Sequence, residues 1–181
     1  MFGGEILSSK IRLYQTAANL NSSYFMRISI ISIGKFENSP HKQVFEAYLK
    51  RLKWKIELKE LDLKNSQNFS VTKIKEGEGE LILKAVKPSS KLIVLDEEGK
   101  QFTSMAFSKM ITDFGVNGDS DLAFVIGGSD GLSEEVLKKS HLKISFGKMT
   151  FPHLMVRSIL AEQLYRAQSI IAGHPYHREG K

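Results

Sequence analysis

Two glycine-bearing loops and a basic aromatic tail hold most of the reactive chemistry in this sequence. The strand-like run Asp121–Ile126 opens into Gly127-Gly128-Ser129-Asp130-Gly131, where the missing side chains let a ligand approach backbone groups. A second cluster, Gly147-Lys148-Met149-Thr150-Phe151-Pro152-His153, sets a cation, apolar surface, a hydroxyl and an imidazole within one short stretch. Near the end stand His174-Pro175-Tyr176-His177-Arg178-Glu179, with imidazole, phenol and guanidinium groups side by side. Such a set suits a small-molecule site beside an anionic substrate, and an RNA is one such substrate. Each piece also has a plainer reading: glycines that only make a bend, Met149 and Phe151 as core plugs, Tyr176 as an amphipathic anchor. The glycine loop is neither a dinucleotide fingerprint nor a P-loop, because the glycine spacing and a following Lys-Ser or Lys-Thr pair are missing.

The elements that position these groups follow from periodicity. Arg27–Ile33 is β-branched and partly alternating, and Gly34 ends it. Pro40 opens a helix carrying Val44, Phe45, Tyr48, Leu49 and Leu52 on a helical period. Trp54, Ile56 and Leu58 alternate with charged residues as a second strand, and Val71, Ile74, Leu81, Ile82 and Ala85 mark a second helix, weakened by Gly77 and Gly79. Lys91 to Asp96 forms the next strand, followed by an expected turn over Leu95-Asp96-Glu97-Glu98-Gly99-Lys100. Thr103 caps a helix for which Gly115 is the expected left-handed end. Asp121–Ile126, a helix from Ser133, a short strand from His141 to Phe146 and a final helix from Leu154 to Ile171 complete the pattern. Strands alternating with helices predict an α/β layer structure with a largely parallel sheet. In such sheets ligands bind beyond the carboxyl ends of strands, so the segments after Leu95, Ile126 and Phe146 are the places to look.

Composition bounds the class. At 181 residues, 41% hydrophobic and 25% charged, the chain suits one globular domain with its own core. A formal charge of +6 fits a polyanionic partner, as it also fits an ordinary basic protein. There is no cysteine, which excludes disulfides, thiolate metal sites and a cysteine nucleophile, and makes a reducing cytoplasmic setting the default. Residues 1–25 differ from the rest. They hold no apolar run long enough to span a bilayer or serve as a secretory core, and read as a dispensable extension, with an upstream start before Met26, or as a structured arm that helps a partner dock. No membrane contact is expected.

Phe124-Val125-Ile126-Gly127-Gly128-Ser129-Asp130-Gly131-Leu132, then Ser145-Phe146-Gly147-Lys148-Met149-Thr150-Phe151-Pro152-His153, Arg157, Glu162-Gln163-Leu164-Tyr165-Arg166-Ala167 and the His174 to Glu179 tail occur in one order. That order resembles the family of ribosomal RNA large-subunit methyltransferase H, among the SPOUT methyltransferases, from Met26 to about Glu179. The resemblance implies a methyltransferase domain over residues 26–181, a largely parallel α/β sheet with a C-terminal trefoil knot, and a homodimer. It also implies S-adenosylmethionine as donor and, as substrate, a pseudouridine of large-subunit ribosomal RNA in the assembled ribosome, methylated at ring N3. Periodicity alone argues against a knot, since threaded chains are rare. By the same resemblance, Leu95, Gly127, Phe146, Gly147, Lys148, Met149, Thr150 and Phe151 hold the donor.

Methylation at a ring nitrogen requires a proton to leave. His177 is the first candidate acceptor and His153 the second, ahead of Glu179, because an exposed carboxylate is a weak base at neutral pH. A bound base that ionises beside cations would need neither. Tyr176 is a candidate for stacking on a base and Arg178 for a phosphate contact. Arg157 and Arg166 (166 − 157 = 9 residues, about 2.5 turns) project from opposite faces of the last helix, one toward phosphate or the donor carboxylate and the other toward an acid across an interface. Lys42, Lys50, Arg51, Lys53 and Lys55 extend an RNA footprint or form a solvated face. The apolar face of the last helix hints at a symmetric interface. The alternatives are a SPOUT enzyme acting on another RNA and a noncatalytic ribosome-binding factor.

Overall fold

Branched apolar residues fill the strands at the centre of the molecule, and their burial decides the layering. The computed structural model describes residues 26–37 and 39–178; the expected extension over residues 1–25 lies outside them. Five βα units follow one another: β1 (Arg27–Ile33), α1 (Pro40–Leu49), β2 (Lys55–Leu61), α2 (Val71–Ala85), β3 (Lys91–Gln101), α3 (Ser104–Val116), β4 (Asp121–Ile126), α4 (Glu134–Lys139), β5 (Leu142–Ser145) and α5 (His153–Ile171). All pairings are parallel, in the order β2-β1-β4-β3-β5. The expected parallel sheet is therefore present.

Strands β1 and β4 are buried on both faces, as their near-continuous apolar runs require. On one face Ile28, Ile30, Phe124 and Ile126 pack with Phe45 of α1, Phe107 and Ile111 of α3, and Leu160 and Leu164 of α5. On the other, Ile31, Ile33, Val94 and Val125 meet Ile82 of α2 and Val136 of α4. Helix starts are set locally. Ser39, Ser70, Thr103 and Ser133 each accept a hydrogen bond from the first turn they precede, and Pro40 occupies the first turn of α1.

Three local expectations change. Gly115 lies inside α3, and the positive φ of 86° falls on Gly118 instead, so the helix ends later than composition suggests. Gly77 and Gly79 weaken α2 in isolation but allow close packing: a β-carbon on Gly79 would lie 2.2 Å from Ser133 Oγ, and one on Gly77 3.0 Å from Leu63. The expected turn after Leu95 is an excursion within β3. Leu95 and Lys100 both pair with Ile144, so residues 96–99 bulge out and the strand rejoins β5 at Lys100. Asp96 Oδ1 accepts from Glu98 N at 2.9 Å and shapes the bulge.

Gly99 makes that excursion possible. A β-carbon there would sit 2.5 Å from the Ile144 carbonyl carbon and 2.7 Å from its nitrogen, backbone atoms that cannot swing aside. Gly99→Ala is expected to cost about 1–3 kcal/mol through overpacking. A urea midpoint equal to that of the parent protein would refute this close approach.

Candidate active site

The carboxyl ends of β3, β4 and β5 open onto one cavity of about 780 Å³, within the range of small-molecule sites. All three segments singled out at strand ends contribute to it. Of the residues expected to hold a donor, Leu95, Gly127, Phe146, Gly147, Met149, Thr150 and Phe151 line the cavity, while Lys148 is exposed and does not. Met149 is 72% exposed, which removes its reading as a core plug. Gly147 has φ +151°, and Ser145 Oγ both donates to Gly147 O at 2.8 Å and accepts from Gly147 N at 3.1 Å. Gly131 N donates to Gly128 O at 3.2 Å, closing the other glycine loop on itself. Thr150 Oγ1 donates to Glu97 Oε2 at 3.1 Å, tying the third segment to the β3 bulge.

Several lining groups were given no role by the sequence. Asp96, Glu97, Glu98 and Asp130 give the rim an acidic character, and Lys75 of α2 supplies a cation. Their signal in the sequence was only the acidic run after Leu95, which composition assigns to a turn. Leu137, from the helix that follows the glycine loop, and Val156 of α5, remote from it in sequence, add apolar wall.

The two histidine candidates separate. His153, the first residue of α5, lines the cavity, and burial, followed by the charge of Arg157, holds its imidazole below the ordinary histidine range. Both effects favour the neutral imidazole, the form able to accept a proton. Neither His177 nor Tyr176 nor Arg178 lines the cavity of this chain. His177 Nδ1 sits 3.5 Å from Arg166 Nη1, along α5 from the cavity. Tyr176 donates its hydroxyl to Glu162 Oε1 at 3.1 Å, lies 3.3 Å from the Tyr48 hydroxyl, and meets Tyr165 edge-on with centroids 4.7 Å apart. Burial first, then the hydrogen bond with Tyr48 and the negative Glu162, raises its phenol above the ordinary tyrosine range. The Arg166 guanidinium covers the Tyr176 ring at 4.9 Å and pairs with Glu162, while Arg178 is exposed and Glu179 lies outside the described residues.

Arg157 and Arg166 do point to different surroundings, but neither takes an expected role in this chain. Arg157 is fully buried, held by Glu60 at 3.0 Å and by the carbonyls of Ile33 and Gly34 at 2.6 and 3.0 Å. It is a structural cation, closed to phosphate. Arg166 finds its acid within its own helix. The apolar face of α5 is buried at Leu160, Ala161, Leu164 and Ala167, while Met155, Ile159, Ile170 and Ile171 stay half-buried. On the basic face, Lys42 pairs with Glu46 at 4.0 Å, and Arg51 lies 5.7 and 5.9 Å from the rings of Tyr48 and Tyr165. Among the described residues no helix is long and apolar enough to cross a membrane, and no group of three or more His, Asp or Glu is placed to hold a metal ion.

The stretch that builds this parallel sheet and strand-end cavity, residues 26–177, matches the family model described as predicted SPOUT methyltransferase. The chain belongs to that SPOUT methyltransferase family. More particularly, it is 43% identical over 153 residues to a protein of Rhodospirillum centenum and 48% identical over 159 residues to one of Clostridium botulinum (strain Kyoto), each named Ribosomal RNA large subunit methyltransferase H. These alignments cover 84% of this chain and 99% and 100% of the relatives. Among solved structures, a probable methylase family protein from Haemophilus influenzae shares the fold, with a TM-score of 0.51 at 14% identity over 86% of this chain and 71% of that one.

Proposed function

We propose that the chain transfers a methyl group from S-adenosylmethionine to ring N3 of a pseudouridine in large-subunit ribosomal RNA, on assembled ribosomes in the cytoplasm. The observation that carries this reading is the convergence of the three strand-end segments on one cavity. The names of the full-length relatives supply the substrate class.

The cavity fits such a donor. Gly127 and Gly147 leave backbone uncovered for adenine and hydroxyl groups, Leu95, Phe146, Met149 and Phe151 offer apolar wall, and the acidic rim suits a cation. When bound, the donor supplies a methyl carbon activated by a positive sulfur. The chain's own part is to hold acceptor and donor in line and to take up the N3 proton. Without cysteine, a covalent enzyme-base route is closed, which agrees with attack at nitrogen.

A homodimer and a C-terminal trefoil knot belong to the same proposal. His177, Tyr176 and Arg178 lie away from the cavity of their own chain, so a second copy that brings its tail to that cavity would unite the two sets. His177→Ala is then expected to lower turnover roughly tenfold to a hundredfold while leaving donor affinity unchanged. Parental turnover would remove His177 from the reaction and leave His153, which already faces the cavity, as proton acceptor.

The reading is tested by mapping labelled methyl groups on ribosomes from a strain lacking the protein. Methyl appearing at one large-subunit pseudouridine after adding the protein supports it. Label in transfer RNA alone assigns another RNA, and no donor binding at millimolar concentration in calorimetry assigns a noncatalytic ribosome-binding role.

A further inference from the structure

Glu78 is placed where a carboxylate is costly. It stands on α2 between the two glycines that draw this helix inward, Gly79 against Ser133 and Gly77 against Leu63. Its side chain ends at the glycine loop: Oε2 and Oε1 lie 2.9 and 3.1 Å from where a β-carbon on Gly128 would be. Oε2 is buried and has no hydrogen-bond partner. Gly128 lines the cavity and Glu78 does not, so the carboxylate backs the wall at a residue without a side chain. Burial first, then the negative charge of Asp130, raises the Glu78 carboxyl above the usual range, as expected of a charge that lacks its counter-ion.

The methyl donor carries a sulfonium and an ammonium against one carboxylate, a net positive charge. The thioether product has lost the sulfonium charge and is neutral overall. A carboxylate behind the wall therefore acts differently on the two, and Glu78, half-buried with Oε2 shielded from solvent, is screened less than an exposed group. The carboxylates of Glu97, Glu98 and Asp130 are closer to solvent and more strongly screened, and Lys75 opposes them.

We propose that Glu78 is a specificity-determining residue whose carboxylate, set against Gly128, favours the cationic methyl donor over the neutral product and so promotes product release. The proposal rests on the donor reading given above. Calorimetry on the full chain with S-adenosylmethionine, the cationic analogue sinefungin and S-adenosylhomocysteine tests it. In Glu78→Gln, affinity for both cationic ligands is expected to fall about tenfold, equivalent to about 1.4 kcal/mol, with the neutral product changed by less than about twofold. An equal change for all three, or none, overturns the proposal, because a packing role does not distinguish ligand charge. Should Glu78→Gln fail to fold, Glu78→Asp carries the test: with the charge kept but drawn back, the ratio of donor to product affinity falls severalfold, and an unchanged ratio overturns it. Parent protein that binds none of the three defeats the donor reading and this inference together. Parent binding with an unaltered ratio in Glu78→Gln defeats this inference alone.

Discussion

Gly127→Arg is expected to abolish measurable binding of S-adenosylmethionine. Gly127 lines the cavity at the end of β4, and even a β-carbon there would lie 3.0 Å from the Gly131 carbonyl carbon and 3.1 Å from Leu132 Cδ2. A longer side chain must displace the Gly131–Leu132 segment or enter the cavity, where its guanidinium would meet the positive donor with like charge. Steric filling and repulsion act in the same direction, so affinity should drop by at least about a hundredfold, or about 2.7 kcal/mol. Calorimetry reads the loss, and a melting profile separates it from unfolding. A folded Gly127→Arg protein with parental affinity would move the donor site away from this loop.

Arg157→Ala is expected to cost about 3 kcal/mol of stability, at the lower end of the range for breaking a buried pair. The guanidinium is enclosed by Glu60, the Ile33 and Gly34 carbonyls and the Phe36 ring, whose centre lies 4.7 Å away. Truncation removes donors from all three oxygen-bearing groups and opens a cavity beside Phe36. The lower end applies because the Glu60 side chain is 32% exposed and also accepts from Phe36 N at 2.6 Å, so water and backbone recover part of the loss. Arg157→Lys should rescue little, since one ammonium cannot reproduce the fork that spans a carboxylate and two carbonyls. Donor affinity is expected to weaken as well. Arg157 fixes the end of β1 to the start of α5, where His153 Nε2 lies 3.4 Å from the β-carbon position of Gly34. Urea unfolding of both variants decides the matter; an unchanged midpoint for Arg157→Ala would show that the network contributes nothing.

The paired fates of the two arginines show why some roles resist a linear reading. Their separate surroundings follow from helical spacing and are present in the structure. Burial of Arg157 is not local information, because its partners lie at the ends of β1 and β2, on the far side of the sheet's sequence order. The β3 bulge is a similar case. Asp96-Glu97-Glu98-Gly99 has the composition of a turn, and only the pairing of Lys100 with Ile144 makes it an excursion from which the strand returns. Gly77 and Gly79 read as helix weaknesses until Leu63 and Ser133 are seen against them.

By itself, the sequence determined the alternation of strands and helices, the cap at Thr103, the helix starts at Pro40 and Ser133, and the segments that follow Leu95, Ile126 and Phe146. Those features are written in hydrophobic period and in hydrogen bonds between near neighbours along the chain, which short windows contain. Tertiary structure decided which groups share a cavity: it joined Lys75, Val156 and His153 to the glycine loop, set Glu78 behind Gly128, and kept the 174–178 tail against α1 and α5. Parallel strands are joined only through crossovers, so their carboxyl ends meet across long stretches of chain, and no local pattern records which side chains will face one another there.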